Sequence, residues 1–223
     1  SMVWPGTHTV VVPNPDLKPE KSLNYEAGSS FKADGVFGSD DHLFAKAVFF
    51  YDDVKDFIAP KAWFEPTTPP TVYYSSQNVG HVVRKGIELS GTYAAGQFST
   101  SVSYGLLHAV DKETNERMNG ITPQSANLKL AYAFPAQAIN VWYRAHWSKG
   151  GESSVEDRAT GKNLHFSSFL THSLGAEWSP KVADLANLQA GIAVVNLFDK
   201  EYRMLNGSYG SGRGVRLWLS AQF

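Results

Sequence analysis

Apolar and polar side chains alternate one for one along most of this chain, which is the period of an extended strand with two unlike faces. Ile87, Leu89 and Tyr93 stand against Glu88, Ser90 and Thr92, and Phe98, Val102, Tyr104 and Leu106 against Ser99, Ser101 and Ser103. Ala126, Leu128, Leu130, Tyr132 and Phe134 oppose Ser125, Asn127 and Lys129. Ile139, Val141, Tyr143, Ala145 and Trp147 oppose Asn140, Arg144 and His146, and Leu170, Leu174, Ala176 and Trp178 oppose Thr171, Ser173 and Glu177. The last residues put Val215, Leu217, Leu219, Ala221 and Phe223 on one face and Arg216, Ser220 and Gln222 on the other, with Trp218 as the exception. The pattern predicts nine strands, at roughly 22–33, 42–57, 79–94, 97–108, 124–134, 138–148, 166–179, 188–200 and 214–223. A closing strand of this kind suits an outer-membrane β-barrel, whose outside dissolves in lipid while its inside stays wet. A soluble sheet with one solvated face carries the same period, and a soluble β-sandwich would bury Leu128, Tyr132 and Phe134 against a second sheet.

The connections favour the membrane. Tight turns at Ala95-Gly96-Gln97 and Pro135-Ala136-Gln137 and modest ones around Gly35 to Asp41 and Pro180 to Asn187 alternate with long segments. The long ones are Ile58 to Asn78, Ala109 to Pro123, Lys149 to His165 and the Gly/Ser-rich Met204 to Arg213. Short periplasmic turns at one rim and long extracellular loops at the other are the outer-membrane arrangement. Aromatics near strand ends (Phe49, Phe50, Tyr51, Phe57, Trp142, Tyr143, Trp147, Trp178, Trp218) fit an interfacial girdle. Nine alternating strands leave the first and last parallel, so they cannot close a sheet antiparallel, and an open edge in lipid strands backbone groups. The expected architecture is therefore all-β, an antiparallel transmembrane β-barrel of which this chain is the C-terminal portion. A tenth strand at Thr9 to Val12 or Val72 to Ser76 would instead permit a small self-contained barrel, a porin or adhesin.

Composition narrows the function classes. The chain has 223 residues, a formal net charge of -1 and no cysteine, so it offers neither a disulfide framework nor a basic surface for nucleic acid. No apolar run approaches the ~18 residues of a spanning helix. No Gly-x-Ser-x-Gly, His-Glu-x-x-His or phosphate loop appears, so no enzyme is expected. Ser1 to Gly6 lacks a basic start and an apolar core, so the start does not look like an export signal.

Several segments, in order, carry a family resemblance. Asn14-Pro15-Asp16-Leu17-Lys18-Pro19-Glu20-Lys21-Ser22 with Tyr25-Glu26-Ala27-Gly28 resembles the Asn-Pro-x-Leu-x-Pro-Glu segment of TonB-dependent outer-membrane receptors. Ala47 to Ile58, Asn78-Val79-Gly80 and Lys85 to Leu89 are similar to their next strands, and Val195-Asn196-Leu197-Phe198-Asp199-Lys200-Glu201-Tyr202-Arg203 with Gly212-Arg213 and Phe223 to the close of the barrel. Pro15 and Pro19 deny ladder donors until the wall begins, and Asn196 and Asp199 can bond nearby backbone where a strand ends. Structure is the expected job of Asn14, Pro15, Leu17, Pro19, Glu20, Asn196, Phe198, Asp199 and Phe223. The resemblance implies a 22-strand barrel in the outer membrane with an N-terminal plug, energised from an inner-membrane complex. Residues 1–21 would be an extracellular loop and 22–223 the C-terminal barrel, with plug and remaining strands elsewhere.

The ligand reading turns on one histidine. His42, His81, His108, His146, His165 and His172 are scattered without metal-site spacing and read as polar filler. Gly6-Thr7-His8 ahead of Pro13-Asn14-Pro15 is most like the haem-receptor branch, which implies haem as transported ligand, His8 as a ligand of its iron, Trp4 stacked on the porphyrin, and a haem-carrying protein as partner. No intrinsic cofactor is expected. A ferric siderophore is the alternative cargo, with Trp63, Phe64, Tyr73, Tyr74, Arg117, Arg158, Tyr209 and Arg213 as its loop candidates.

Overall fold

The computed structural model describes residues 8–65, 71–78, 80–156, 160–181 and 187–222. Its strands are β1 (His8–Val11), β2 (Lys21–Asp34), β3 (Asp41–Lys55), β4 (Ile58–Glu65), β5 (Thr71–Asn78), β6 (Val82–Ala95), β7 (Phe98–Asp111), β8 (Gln124–Phe134), β9 (Ile139–Ser148), β10 (Gly151–Glu156), β11 (Asn163–Phe166), β12 (Phe169–Trp178), β13 (Asn187–Val195) and β14 (Gly214–Gln222). Nine form one sheet in the order β14-β13-β12-β9-β8-β7-β6-β3-β2. Sequence neighbours are sheet neighbours, with β10 and β11 pairing separately in the loop between β9 and β12. β1 pairs parallel with β5, which pairs antiparallel with β4.

Two compact units emerge from the fold. One comprises Ser1–Tyr25, Tyr51–Arg84 and Ala109–Arg117, the other Glu26–Phe50, Lys85–His108 and Met118–Phe223. In the second unit the register follows from its turns. The short turn at Pro135–Gln137 sets Phe134 opposite Ile139, so that Leu128 meets Ala145 and Asn127 meets His146. Across β9 and β12, Leu170 lies beside Trp147 and Leu174 beside Tyr143; across β13 and β14, Ile192 lies beside Leu217.

The apolar face stays uncovered. Leu217 and Leu219 are each 75% exposed, and Tyr132, Phe134, Leu170, Leu174 and Ile192 are exposed too. A sandwich would have buried Tyr132 and Phe134 against a second sheet, which overturns the soluble alternative. Such a face is stable only in a medium as apolar as itself.

The polar face holds the small core of this unit. Trp142 is 8% exposed and packs with Ala131, Ala193 and Trp218. A Cβ on Gly175 would collide with the Trp142 indole, one on Gly191 with the Trp218 indole, and one on Gly86 with the Phe50 ring. Each large ring thus occupies the space where a side chain on a glycine of the neighbouring strand would stand. Trp142, Trp218 and Phe50 therefore leave the expected girdle: they sit on the polar face, and that is why Trp218 broke the alternation.

Ends and short strands also differ from expectation. The strand expected to run to residue 200 stops at Val195, because Asn196 and Asp199 take left-handed φ values of 49° and 52°. The stretches 58–78 and 149–165, expected as loops, contain β4, β5, β10 and β11. Phe223 lies outside the described residues.

Asp41 organises the β2–β3 turn. The residue is 2% exposed, and its carboxylate accepts from the backbone N–H of Val36 at 2.7 Å, Phe37 at 2.7 Å and Gly38 at 2.9 Å, and from the Tyr93 hydroxyl at 3.0 Å. Asp41→Ala is expected to raise amide exchange at Val36, Phe37 and Gly38 by about tenfold or more, since three donors lose their acceptor together. Unchanged exchange at all three would show that the turn holds without this carboxylate.

Candidate functional site

His8 opens β1, and its backbone is set opposite Thr71 of β5. Its side chain, like those of Trp63, Phe64 and Tyr74, lies outside what is described, as do Trp4 and Arg158 altogether. The segment that follows is stitched down by amide side chains. Asn78 Oδ1 accepts from Lys18 N at 2.8 Å while its Nδ2 donates to Lys18 O at 2.9 Å and to Asp56 O. Glu20 Oε1 accepts from Ile58 N at 2.6 Å, and Asn14 Nδ2 donates to Ser76 O at 3.0 Å. Asn14 Oδ1 also accepts from Asp16 N, a local turn ahead of Leu17. Pro15 and Pro19 are exposed between these anchors, where neither is asked for a donor. The same unit holds the ion pairs His81–Asp53 and Arg84–Asp52.

The second unit builds a different site, at the long-loop ends of its strands. Its starting point is the chain Ser103, Asn127, His146, three neighbours on the polar face of β7, β8 and β9. Asn127 Nδ2 donates to Ser103 Oγ at 3.2 Å, which leaves Oδ1 to accept from His146 Nδ1 at 2.8 Å. The His146 ring meets Phe169 at 5.8 Å between centroids, and Phe169 stacks on Tyr202 at 4.1 Å. Tyr202 covers Gly210, whose N–H donates to Tyr202 O.

The loop between β13 and β14 closes over this ladder. Asn196, 5% exposed, accepts from Lys200 N and donates to Lys200 O and Ser211 O, each at 2.9 Å. Asp199 Oδ1 accepts from Arg213 N at 2.7 Å. Ser154 N of β10 donates to Leu205 O, so the loop is tied at both its base and its crest. Phe198 is 69% exposed and meets His172 edge-on. The result is a recess of about 320 Å³ whose lining includes His146, Lys149, Phe169, Arg203 and Met204. Arg203 lies over the rings of Phe166 and Tyr209 and donates to the Tyr209 hydroxyl.

The sequence candidates divide accordingly. The side chains of Asn14, Glu20, Asn196 and Asp199 each bond backbone groups. Tyr209 joins Arg203, which was not among the candidates, and Arg117 pairs with Val110 in the other unit. His146, expected as filler, heads a recess. Its signal was in the sequence: the tight turn at Pro135–Gln137 implies the count that places Asn127 opposite His146.

Three comparisons bear on this architecture. A family model described as "TonB dependent receptor-like, beta-barrel" matches residues 3–197. The heme/hemopexin utilization protein C of Haemophilus influenzae (strain 86-028NP) is 25% identical over 210 residues, covering 92% of this chain and 29% of its own length. A hemin receptor of Yersinia pestis is 24% identical over 215 residues, 95% of this chain and 30% of the relative. The siderophore receptor PirA of Acinetobacter baumannii has the same fold, with a TM-score of 0.67 at 21% identity over 93% of this chain and 32% of that one. The chain spans about 30% of the length of the curated relatives it matches.

Proposed function

The chain belongs to the TonB-dependent receptor-like β-barrel family, a family of transport receptors, and from that premise we propose that it is the C-terminal barrel portion of an outer-membrane receptor that takes up iron as haem. The observation that carries the reading is the placement of His8. Its backbone is paired through β1 with β5, just ahead of a segment stitched by Asn78, Glu20 and Asn14, and a fixed backbone at that position supports its use as a ligand. The curated relatives in haem use support the cargo.

In this reading Trp4 stacks on the porphyrin, the short turns face the periplasm and the long loops the exterior. Residues 1–21 form the extracellular entry and 22–223 the wall. A plug outside this chain couples to an inner-membrane energy source, and a haem-carrying protein delivers the cargo. The chain catalyses nothing and binds no nucleic acid. A ferric siderophore is the second reading, favoured by the exposed Tyr209 beside Arg203 at the long-loop side.

The test is spectroscopic. Full-length receptor titrated with ferric haem should shift and sharpen the Soret band of the free haem as iron gains an imidazole ligand, and His8→Ala should weaken binding at least tenfold, ~1.4 kcal/mol. A receptor that leaves the free-haem spectrum unchanged, while binding a ferric siderophore, would replace the first reading with the second.

A further inference from the structure

We infer that the lipid-facing side of this wall carries a site for one membrane lipid, with an acyl ester carbonyl held by His172 and Tyr143 and the acyl chain lying in the groove beside them. The inference depends on the barrel assignment and on no particular cargo.

His172 is out of place by polarity. The register lines up Leu170, Leu174, Ala176 and Trp178 with apolar partners on β9 and β13, and His172 stands among them on the same face, opposite Ala145. It is the one acidic or basic side chain among the paired apolar-face positions of β8, β9, β12, β13 and β14. Ionisable groups at membrane depth are costly and mark functional positions. This one is also held firmly. Its backbone oxygen accepts from Leu197 N at 2.7 Å, and the exposed Phe198 ring meets its imidazole edge-on at 5.0 Å. Both neighbours come from the loop between β13 and β14, so His172 lies toward the long-loop side of the wall.

The Tyr143 hydroxyl and His172 Nδ1 are 2.5 Å apart. A phenol and a neutral imidazole bring two polar hydrogens, and their mutual bond uses one, whichever of them donates. Neither side chain makes a further hydrogen bond among the described residues. One donor is therefore left toward hydrocarbon, where no water can meet it. An acceptor supplied by the surrounding lipid removes that cost.

The ground beside the pair selects the rest of the ligand. Ala145 across from His172, and Leu170 two positions along its own strand, both line an open groove of about 590 Å³, within the ~300–1,000 Å³ range of small-molecule sites. The groove crosses the neighbouring strands β12, β9, β8, β7, β6 and β3, where Ala145, Ala126, Gly91 and Ala45 leave room between larger side chains. Five strand spacings of ~4.8 Å make about 24 Å, the reach of an extended acyl chain. No Lys, Arg, Asp or Glu lines it, so the pair recognises a neutral carbonyl oxygen and not a headgroup charge. A carbonyl acceptor joined to a long apolar tail is an acyl ester.

The experiment uses full-length receptor, stripped of lipid in detergent and returned to micelles containing either diester phosphatidylglycerol or its diether analogue, which lacks the carbonyl oxygens. Native mass spectrometry reads the lipid that stays bound. The diester is expected to be retained at least tenfold better than the diether. His172→Leu with Tyr143→Phe should erase that preference, and Ala126→Leu, which fills the groove, should lower retention of the diester at least tenfold. Leucine and phenylalanine belong on a lipid face, so these variants keep the barrel, which circular dichroism checks. Equal retention of the two lipids by the wild type, or a preference that survives the double variant, would overturn the inference. Neither result bears on the haem titration, which tests the cargo separately.

Discussion

Leu217→Arg is expected to destabilise the barrel by about 2–4 kcal/mol, the cost of a charge on the lipid face near the bilayer midplane. Leu217 sits near the centre of β14 and is 75% exposed, beside Ile192 on the apolar face. On a water-facing surface the same exchange would be worth no more than ~0.5 kcal/mol. Denaturant unfolding of the full receptor in lipid vesicles separates the two, with Arg216 one position away as evidence that the strand tolerates a guanidinium on its other face. A cost below that surface value would place the apolar face in water and remove the membrane assignment.

Gly191→Val should cost about 1–3 kcal/mol through overpacking, and most of that should return in the double variant with Trp218→Ala. The nearest atoms a Cβ would meet at Gly191 all belong to the Trp218 indole, so removing the ring removes the conflict. Gly175 provides the contrast. There a Cβ would strike the Trp142 indole and also lie 2.9 Å from the Ile192 backbone oxygen, which no side-chain deletion relieves. Gly175→Val with Trp142→Ala is therefore expected to recover only in part. The measurement is a pair of double-mutant cycles, each with a coupling of about 0.5–3 kcal/mol; additive behaviour at Gly191 would show that the rings do not rest where they are placed.

Much of the wall was legible in the sequence because lipid enforces period two. Leu170, Leu174 and Leu217 face outward as the alternation requires, and β8 was delimited to its end residues by Gln124 and Phe134. Aromatic identity was the weaker guide. A tryptophan is equally at home at an interface or over a glycine, and only the neighbour across the strand decides: Trp142 needed Gly175, and Trp218 needed Gly191. The short strands β4, β5, β10 and β11 escaped for a related reason. Pro60 and the clustered serines read as loop, while the pairing partners that make them strands lie elsewhere in the chain. His146 was hidden the same way, since a lone histidine says nothing until the register brings an amide oxygen to its ring.

The rings set against glycines also bear on the passage in front of them. Phe50, Trp142 and Trp218 each occupy space that a Cβ on the adjacent strand would otherwise claim, and the Arg144 guanidinium lies over the Trp142 ring. A side chain gained at Gly86, Gly175 or Gly191 would therefore turn an aromatic ring, and at Trp142 a cation with it, out toward the bore and narrow it.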